Sequence, residues 1–174
     1  MNRTDSTLAC HLADDAATEA LGRALAHALA PGLHLQLHGN LGAGKTTLVR
    51  AVLRELGVTG PIKSPTYALV ERYPLTRIPI EFGNSSNIYF YHFDFYRFNR
   101  ESEWLEAGFR DDFGPQSICA VEWPEQAGDL LPAPDLDIRL VYADPGRDVT
   151  LSARSPAGAA CLAKLKMPAA SSGL

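Results

Sequence analysis

The residue types and spacing of one short stretch are those of a phosphate-binding loop. It fits the pattern G-x-x-x-x-G-K-[ST] and comprises Gly39, Asn40, Leu41, Gly42, Ala43, Gly44, Lys45, Thr46 and Thr47. Glycines let the backbone turn successive N–H groups inward, where they bind an anion. The lysine then reaches the β- and γ-phosphates of a nucleotide, and the Thr46 hydroxyl ligates Mg²⁺. We therefore expect this loop to bind a nucleoside triphosphate together with Mg²⁺.

Phosphoryl transfer needs further charged groups near the metal, and two carboxylates follow segments that are typical of strands. Glu122 follows the apolar run 118–121, and Asp94 ends the aromatic run 88–93. Ligands gather at the carboxyl ends of strands in open α/β sheets, so both residues are candidate metal acids. The apolar run favours Glu122 as the metal ligand and Asp94 as the residue for switching or water orientation. The sequence alone leaves that division of roles open.

Three further features accompany these acids. The loop 63–67 carries Thr66, a hydroxyl that can touch a γ-phosphate or metal as a switch segment does. Trp123 directly follows Glu122 and can lie against a nucleotide pocket. Arg97 and Arg110 are candidate cations. Each feature also has a plainer interpretation, as a turn, a core side chain and surface ion pairs, respectively.

The positions of these residues depend on a chain that alternates strand-like and helix-like patterns. Strand patterns cover residues 6–12, 33–38, 67–73, 88–94, 117–121, 135–143 and 147–153, and helix patterns cover 16–30, 46–56, 100–107 and 156–166. A strand before the phosphate loop and a helix after it form the context that such a loop needs. The last two strand patterns predict a C-terminal β-hairpin, and residues 1–166 are expected to form a single α/β domain.

Length and composition are those of one globular domain. The chain has 174 residues, of which 46% are hydrophobic and 21% charged, with a net charge of −4. The negative charge argues against a basic surface that grips a nucleic-acid duplex. No apolar run has the length of a membrane span or the pattern of a signal segment, so we expect a cytoplasmic protein without membrane contact. The cysteines lack the spacing of a zinc site or disulfide framework, and Cys119 is expected to be buried.

Four motifs together resemble one protein family. They are L-H-G-N-L-G-A-G-K-T-T at residues 37–47, K-S-P-T-Y at 63–67, Y-H-F-D-F-Y-R at 91–97 and V-E-W-P at 121–124. Their order and spacing are similar to those of the TsaE (YjeE) family, small bacterial P-loop proteins that help to make threonylcarbamoyladenosine in tRNA. The resemblance covers roughly residues 10–155. The last three motifs together make it highly specific.

The resemblance implies a fold, an activity and partners. The fold is expected to be a P-loop NTPase-like, three-layer α/β domain with a mixed, mainly parallel sheet and a C-terminal β-hairpin. The activity is expected to be weak, Mg²⁺-dependent hydrolysis of ATP to ADP and phosphate, which resets or cycles a partner complex. The implied partners are TsaD and TsaB, the pair that transfers the threonylcarbamoyl group to adenosine-37, so that tRNA is reached only through them.

The resemblance also assigns roles by position. The residues concerned are Lys45, Thr46, Thr66, Asp94, Glu122 and Trp123. Lys45 and Thr46 correspond to the family's ligands of phosphate and Mg²⁺. Glu122 corresponds to its metal acid, and Asp94 to its other essential carboxylate. The remaining two residues fall in the switch-like segment and near the nucleotide.

Two features depart from the family pattern, and alternative functions are less well supported. Asn40 stands where the family usually has aspartate, and residues 74–87 form a longer excursion that is expected to be a protruding hairpin. Residues 167–174 are expected to be a disordered tail.

The main alternative function is that of a small-molecule P-loop kinase. Such a kinase needs a lid with clustered arginines, but the arginines here are scattered. A GTPase is disfavoured because no N-K-x-D motif occurs, and a nucleotide-sensing scaffold without turnover is the third class.

Overall fold

The computed structural model describes residues 6–76 and 87–167 of the chain. Its strands are β1 (Thr7–Leu12), β2 (His34–His38), β3 (Val70–Leu75), β4 (Ile88–Asp94), β5 (Ser117–Glu122), β6 (Leu136–Tyr142) and β7 (Arg147–Ala153). Its helices are α1 (Asp15–Ala28), α2 (Lys45–Glu55), α3 (Glu103–Glu106) and α4 (Pro156–Lys164), with short 3₁₀ turns at Phe109–Asp112, Pro124–Gln126 and Gly128–Leu130. The strand and helix expected on either side of the phosphate loop are therefore present.

The strands form one seven-stranded mixed sheet in the order β1-β7-β6-β2-β5-β4-β3. The central strands β6, β2, β5 and β4 run parallel. The pairings of β1 with β7, β7 with β6 and β4 with β3 are antiparallel. Because β2 lies within the parallel part, the loop after it opens beside the carboxyl ends of β5 and β4. This confirms the predicted α/β fold, with its mixed sheet and C-terminal hairpin.

Each face of the sheet is covered by a separate apolar cluster. On one face, Ile118 of β5 packs in a cluster with residues of α1, α2 and α4. On the other face, Val121 of the same strand packs with rings that include Phe93 and Trp104. Successive side chains of a strand point to opposite faces, so a strand buried on both sides is apolar throughout. This double burial explains the continuous apolar run that precedes Glu122.

Helices α1 and α2 approach each other closely at Gly22. A Cβ atom there would lie 2.5 Å from the Cβ of Ala51 and 2.8 Å from the carbonyl oxygen of Leu48. We expect Gly22→Ala to lower the free energy of unfolding by about 1–3 kcal/mol in urea denaturation, because the helices must move apart. Arg23→Ala, on the exposed side of the same helix, should change it by less than about 0.5 kcal/mol. A Gly22→Ala variant as stable as the wild type would contradict this close contact.

The strand that follows the switch-like segment begins later than its pattern indicates. The sequence predicts a strand over residues 67–73, whereas β3 runs from Val70 to Leu75. The N–H of Leu69 donates to the carbonyl oxygen of Pro65 at 2.7 Å, and Leu69 has a φ of 68°. The chain is therefore still turning at these residues, so the predicted strand is present but its predicted start is wrong.

The excursion predicted over residues 74–87 also begins later in the structure. Its first two residues are the last two of β3, and they pair with the start of β4. A proline is tolerated there because β3 is an edge strand. The rest of the predicted hairpin, residues 77–86, lies outside the described residues, as does the predicted disordered tail from residue 168 onward.

Two expectations from composition can be compared with the structure. Within residues 6–76 and 87–167, each helix is too short or too polar to cross a membrane. Cys119 and Cys161 are buried and Cys10 is partly buried, and all three are free thiols. Burial raises the pKa of the Cys161 thiol to about 11. Because Cys119 is buried, it packs as a small apolar side chain, as the sequence predicts.

Candidate nucleotide-binding site

The phosphate-binding loop connects the end of β2 at His38 to the start of α2 at Lys45. Gly39 has a φ of 149° and Gly44 a φ of 105°, in a region that residues with side chains avoid. A Cβ atom at Gly39 would also lie 2.5 Å from the carbonyl oxygen of Leu140 on β6. Both positions therefore require glycine, which is the physical basis of the sequence motif.

The side chain of Lys45 lies inside the loop. It is only 4% exposed, and its Nζ donates to the carbonyl oxygens of Gly39 and Asn40, the latter at 3.2 Å. The ammonium group lies 4.3 Å from the ring centre of Trp123. Burial lowers the pKa of Lys45, and the nearby carboxylates oppose this shift. The arrangement is a buried cation within a loop of the type whose N–H groups can bind an anion.

The hydroxyl of Thr46 and the carboxylate of Glu122 meet at the carboxyl edge of the sheet. Thr46 Oγ1 donates to Glu122, at 2.8 Å from Oε1 and 3.1 Å from Oε2. The same Oε1 lies 2.7 Å from Nε2 of the fully buried His92. An ionised carboxylate only accepts hydrogen bonds, so Nε2 carries the proton. Among the described residues, none forms a hydrogen bond with His92 Nδ1. The hydrogen bond from Nε2 is therefore the polar contact of this ring, and it fixes the orientation of the Glu122 carboxylate.

Asp94 lies beside Glu122 because the two residues are partners in the register of β4 and β5. Its Oδ2 accepts from Thr66 Oγ1 at 2.9 Å, and its Oδ1 accepts from the N–H of Tyr96 at 2.9 Å. Burial raises the pKa of Asp94 and the charge of Glu122 adds to the rise, while the two hydrogen bonds oppose it. The two carboxylates thus have different hydroxyl partners, Thr46 for Glu122 and Thr66 for Asp94.

Trp123 has an unusual backbone conformation directly after β5. Its φ is 55°, in the left-handed region that large side chains rarely adopt. The turn brings its ring over Lys45 and against the ring of Tyr96, with 5.0 Å between the two ring centres. An outlier of this kind at a cleft is a common feature of functional sites. Here it places an aromatic wall beside the buried cation.

Most of the candidate site residues identified from the sequence come together in one cleft of about 300 Å³. The loop from Leu41 to Thr47 lines it, as do Thr66, both carboxylates and Trp123. Gly39 and Asn40 contribute the carbonyl oxygens that accept from Lys45. These residues therefore lie near one another, and the binding and catalytic roles assigned to them stay predictions.

Two predicted cations are elsewhere, and three further residues were missed. The guanidinium carbon of Arg97 lies 4.0 Å from the ring centre of Tyr67, and Arg110 is exposed in a 3₁₀ turn. Neither arginine lines the cleft. Asp15 and Arg147 line the cleft instead, although no motif includes them. The third is the histidine of H-F-D, whose position two residues before the acid puts both on one face of a strand.

The oxygen atoms of this cleft fit Mg²⁺. This ion prefers oxygen ligands and binds through one or two protein groups together with phosphate oxygens and water. The Thr46 hydroxyl and the Glu122 carboxylate are such a pair. Within residues 6–76 and 87–167, no group of three or more His, Cys, Asp or Glu is arranged to hold a metal by itself. The site therefore suits a cation that binds together with nucleotide phosphates.

A glycine-rich loop after a central parallel strand, a lysine at the start of the next helix and a carboxylate from the adjacent strand define a P-loop nucleotide-binding fold. The family model described as "Threonylcarbamoyl adenosine biosynthesis protein TsaE" matches residues 12–149. The chain belongs to the TsaE family. The family predicted from the four motifs is thereby confirmed.

Similarity to individual members extends over most of the chain. The Haemophilus influenzae "tRNA threonylcarbamoyladenosine biosynthesis protein TsaE" is 41% identical over 122 residues, which cover 70% of this chain and 71% of that protein. The Bacillus subtilis protein of the same name is 34% identical over 137 residues, or 78% and 79% of the two chains. The crystal structure of Bacillus subtilis YdiB matches with a TM-score of 0.74 at 25% identity, over 94% of this chain and 97% of that chain.

Proposed function

We propose that this chain binds ATP with Mg²⁺ and hydrolyses it to ADP and phosphate, as an accessory ATPase in threonylcarbamoyladenosine formation at adenosine-37 of tRNA. The observation that carries the proposal is the convergence of Lys45, Thr46 and Glu122 in one cleft of a P-loop fold. The absence of N-K-x-D from the sequence favours ATP over GTP. Two similar proteins bear the name of this pathway.

In this proposal, each residue of the cleft has a distinct task. The loop N–H groups and Lys45 bind phosphate oxygens and stabilise the negative charge that shifts during transfer. Thr46 and Glu122 would hold Mg²⁺, and the ion would supply positive charge that offsets the charge of the phosphates. Asp94 orients the attacking water, and the rise in its pKa on burial makes it a better proton acceptor. The Trp123 ring excludes water from one side of the lysine.

We propose TsaB and TsaD as the partners that accelerate hydrolysis. Of the arginines in the described part of the chain, Arg147 alone lines the cleft, and its guanidinium pairs with Asp15 of α1. In P-loop enzymes, an arginine supplied to the transition state raises turnover by about 10³–10⁵-fold. With none of the described arginines assigned to the γ-phosphate, we expect ATP hydrolysis to be slow until a partner binds. The net charge of −4 gives no general attraction to RNA, which supports contact with tRNA through the partners.

Phosphate release from ATP by the purified chain, with and without TsaB and TsaD, tests this function. We expect slow, Mg²⁺-dependent release by the chain alone and faster release with the pair, after subtraction of turnover by TsaB and TsaD alone. Equal rates with and without the pair would contradict the accessory role. Failure of the chain to bind ATP would contradict the whole proposal, and transfer of phosphate to a small acceptor would favour a kinase.

His92→Leu is expected to raise the Mg²⁺ concentration needed for half-maximal ATP turnover by about 10–100-fold, the usual effect of losing a group that orients a metal ligand. The reason is that Glu122 loses the N–H that fixes Oε1. His92→Gln is the matched control, because its amide N–H can reach the same oxygen, and it should keep most of the wild-type response. Thermal melting separates this effect from misfolding. A folded His92→Leu variant with wild-type Mg²⁺ dependence would show that the ring only fills space.

A further inference from the structure

One charged side chain that no motif identifies reaches the candidate cleft. Arg147, the first residue of β7, lines it together with Gly44 and Thr47. Its guanidinium covers the place that a Cβ atom of Gly44 would occupy, so it lies against the last glycine of the phosphate-binding loop. The side chain is only 14% exposed. A permanent positive charge in this position adds to the attraction that the loop N–H groups exert on an anion.

The turn before β7 fixes where this arginine lies. Gly146 has a φ of 86°, and a Cβ atom there would overlap the backbone of Leu12 and Ala13 at the end of β1. Glycine is therefore required where the hairpin meets β1. The N–H of Ala143 donates to the carbonyl oxygen of Gly146 at 3.0 Å and closes the turn. The backbone thus delivers Arg147 to the edge of the cleft.

Two residues of α1 hold the guanidinium in place. Its Nη2 lies 2.9 Å from Asp15 Oδ1, and its Nη1 donates to Thr18 Oγ1 at 3.0 Å. A guanidinium has five N–H donors, so these two contacts leave donors for a ligand. Thr18 is buried, whereas the Asp15 side chain is 72% exposed at the rim of the cleft. The cation is therefore oriented before any ligand binds, and it retains unused donors.

The order of the strands places Arg147 and the two carboxylates on opposite sides of the loop. Strand β2, which leads into the loop, has β5 and then β4 on one side, and β6 and then β7 on the other. Glu122 and Asp94 end β5 and β4, while Arg147 begins β7. If the γ-phosphate lies at the carboxylates, the rest of a nucleotide that follows the loop away from them extends toward the β7 side.

We propose that Arg147 is a further nucleotide-binding residue, whose guanidinium donates to the α-phosphate oxygens of nucleoside di- and triphosphates. This inference rests on the proposed function of the cleft. Asp15 and Thr18 are its positioning residues. Because ADP and ATP share the α-phosphate, Arg147 contributes equally to the binding of both. Lys45 differs in this respect, since it reaches the β- and γ-phosphates.

Calorimetric titration of Arg147→Met with MgADP and MgATP tests the inference. Methionine keeps much of the aliphatic stem and removes the charge. We expect both affinities to fall by the same factor, about 10- to 100-fold, because charge-assisted hydrogen bonds to phosphate are lost. A loss confined to ATP would place the guanidinium at the γ-phosphate and overturn the inference. Unchanged ADP affinity would also overturn it and leave Arg147 as a structural link between the hairpin and α1.

Two further variants keep this test decisive. Arg147→Gln can still hydrogen-bond with Asp15 and Thr18, so it serves if the methionine variant misfolds, and the same loss of affinity is expected. Arg139→Ala removes an exposed arginine from the neighbouring β6 and should bind as the wild type does. If the wild type and Arg139→Ala both fail to bind ADP, the proposed function is wrong. If both bind ADP and the Arg147 variants bind it equally well, only this inference is wrong.

Discussion

Lys45→Ala is expected to weaken the binding of ATP and ADP by at least about 100-fold, since each hydrogen bond to a charged group contributes about 1.5–3 kcal/mol and each 1.4 kcal/mol is tenfold in affinity. The lysine is buried in the loop, where its donors already point at the carbonyl oxygens of Gly39 and Asn40. Its loss also leaves Asp94 and Glu122 without a nearby cation that offsets their charge. The cleft would then repel a polyphosphate more strongly.

Calorimetry measures this loss directly, and thermal melting provides a second readout. A ligand that binds only the folded state raises the melting temperature, so the rise seen with ADP in the wild type should be absent from the variant. Lys45→Met removes the charge with a smaller change in volume and should behave in the same way. Lys166→Ala, an exposed lysine beyond α4, is the matched control. Wild-type ATP affinity in Lys45→Ala would rule out the loop as the phosphate site.

The parts of the site that the sequence predicts are those whose geometry is local. The loop from Gly39 to Thr47 turns because of its own glycines, and the helix that follows starts at Lys45, so the motif implies the geometry. The acids were found because each ends a strand whose apolar pattern is visible. Trp123 was noted because it directly follows Glu122 in the sequence. None of these inferences needs the order of strands in the sheet.

The parts that sequence reasoning missed depend on contacts between distant segments. The alternation in residues 147–153 predicts a strand, but it does not show that β7 lies near the loop or that α1 faces its first residue. The contact between His92 and Glu122 depends in the same way on the pairing of β4 with β5. The late start of β3 follows from the backbone hydrogen bond between Leu69 and Pro65, which has no strong sequence signal.

The hydrogen bonds of the two carboxylates favour a different role for each, a division that the sequence leaves open. Glu122 accepts from Thr46, the residue expected to ligate Mg²⁺, whereas Asp94 accepts from Thr66 in the switch-like segment. A metal ligand and a water-orienting residue should respond differently to Mg²⁺ concentration. The isosteric amide variants of the two acids can therefore separate the roles.

Glu122→Gln is expected to lower Mg²⁺-dependent ATP hydrolysis by at least about 100-fold, because a metal ligand that stabilises the transition state contributes several kcal/mol. The Mg²⁺ concentration needed for half-maximal turnover should rise. The free energy of unfolding should fall by only about 1–3 kcal/mol. The amide oxygen still accepts a hydrogen bond, but the amide NH₂ group faces an N–H or O–H donor that the carboxylate had accepted from. Glu125→Gln, at a half-exposed acid in the next turn, is the control and should leave turnover near the wild-type rate.

Asp94→Asn is the decisive comparison for Glu122→Gln. If Asp94 orients water and contacts the switch-like segment, its amide variant loses turnover at every Mg²⁺ concentration without a change in the Mg²⁺ requirement. Phosphate release measured across a Mg²⁺ series gives both quantities for both variants. The opposite pattern, a shifted Mg²⁺ requirement in Asp94→Asn and none in Glu122→Gln, would exchange the two roles. A collapse of the melting temperature in Glu122→Gln would instead make Glu122 a structural residue, held by Thr46 and His92.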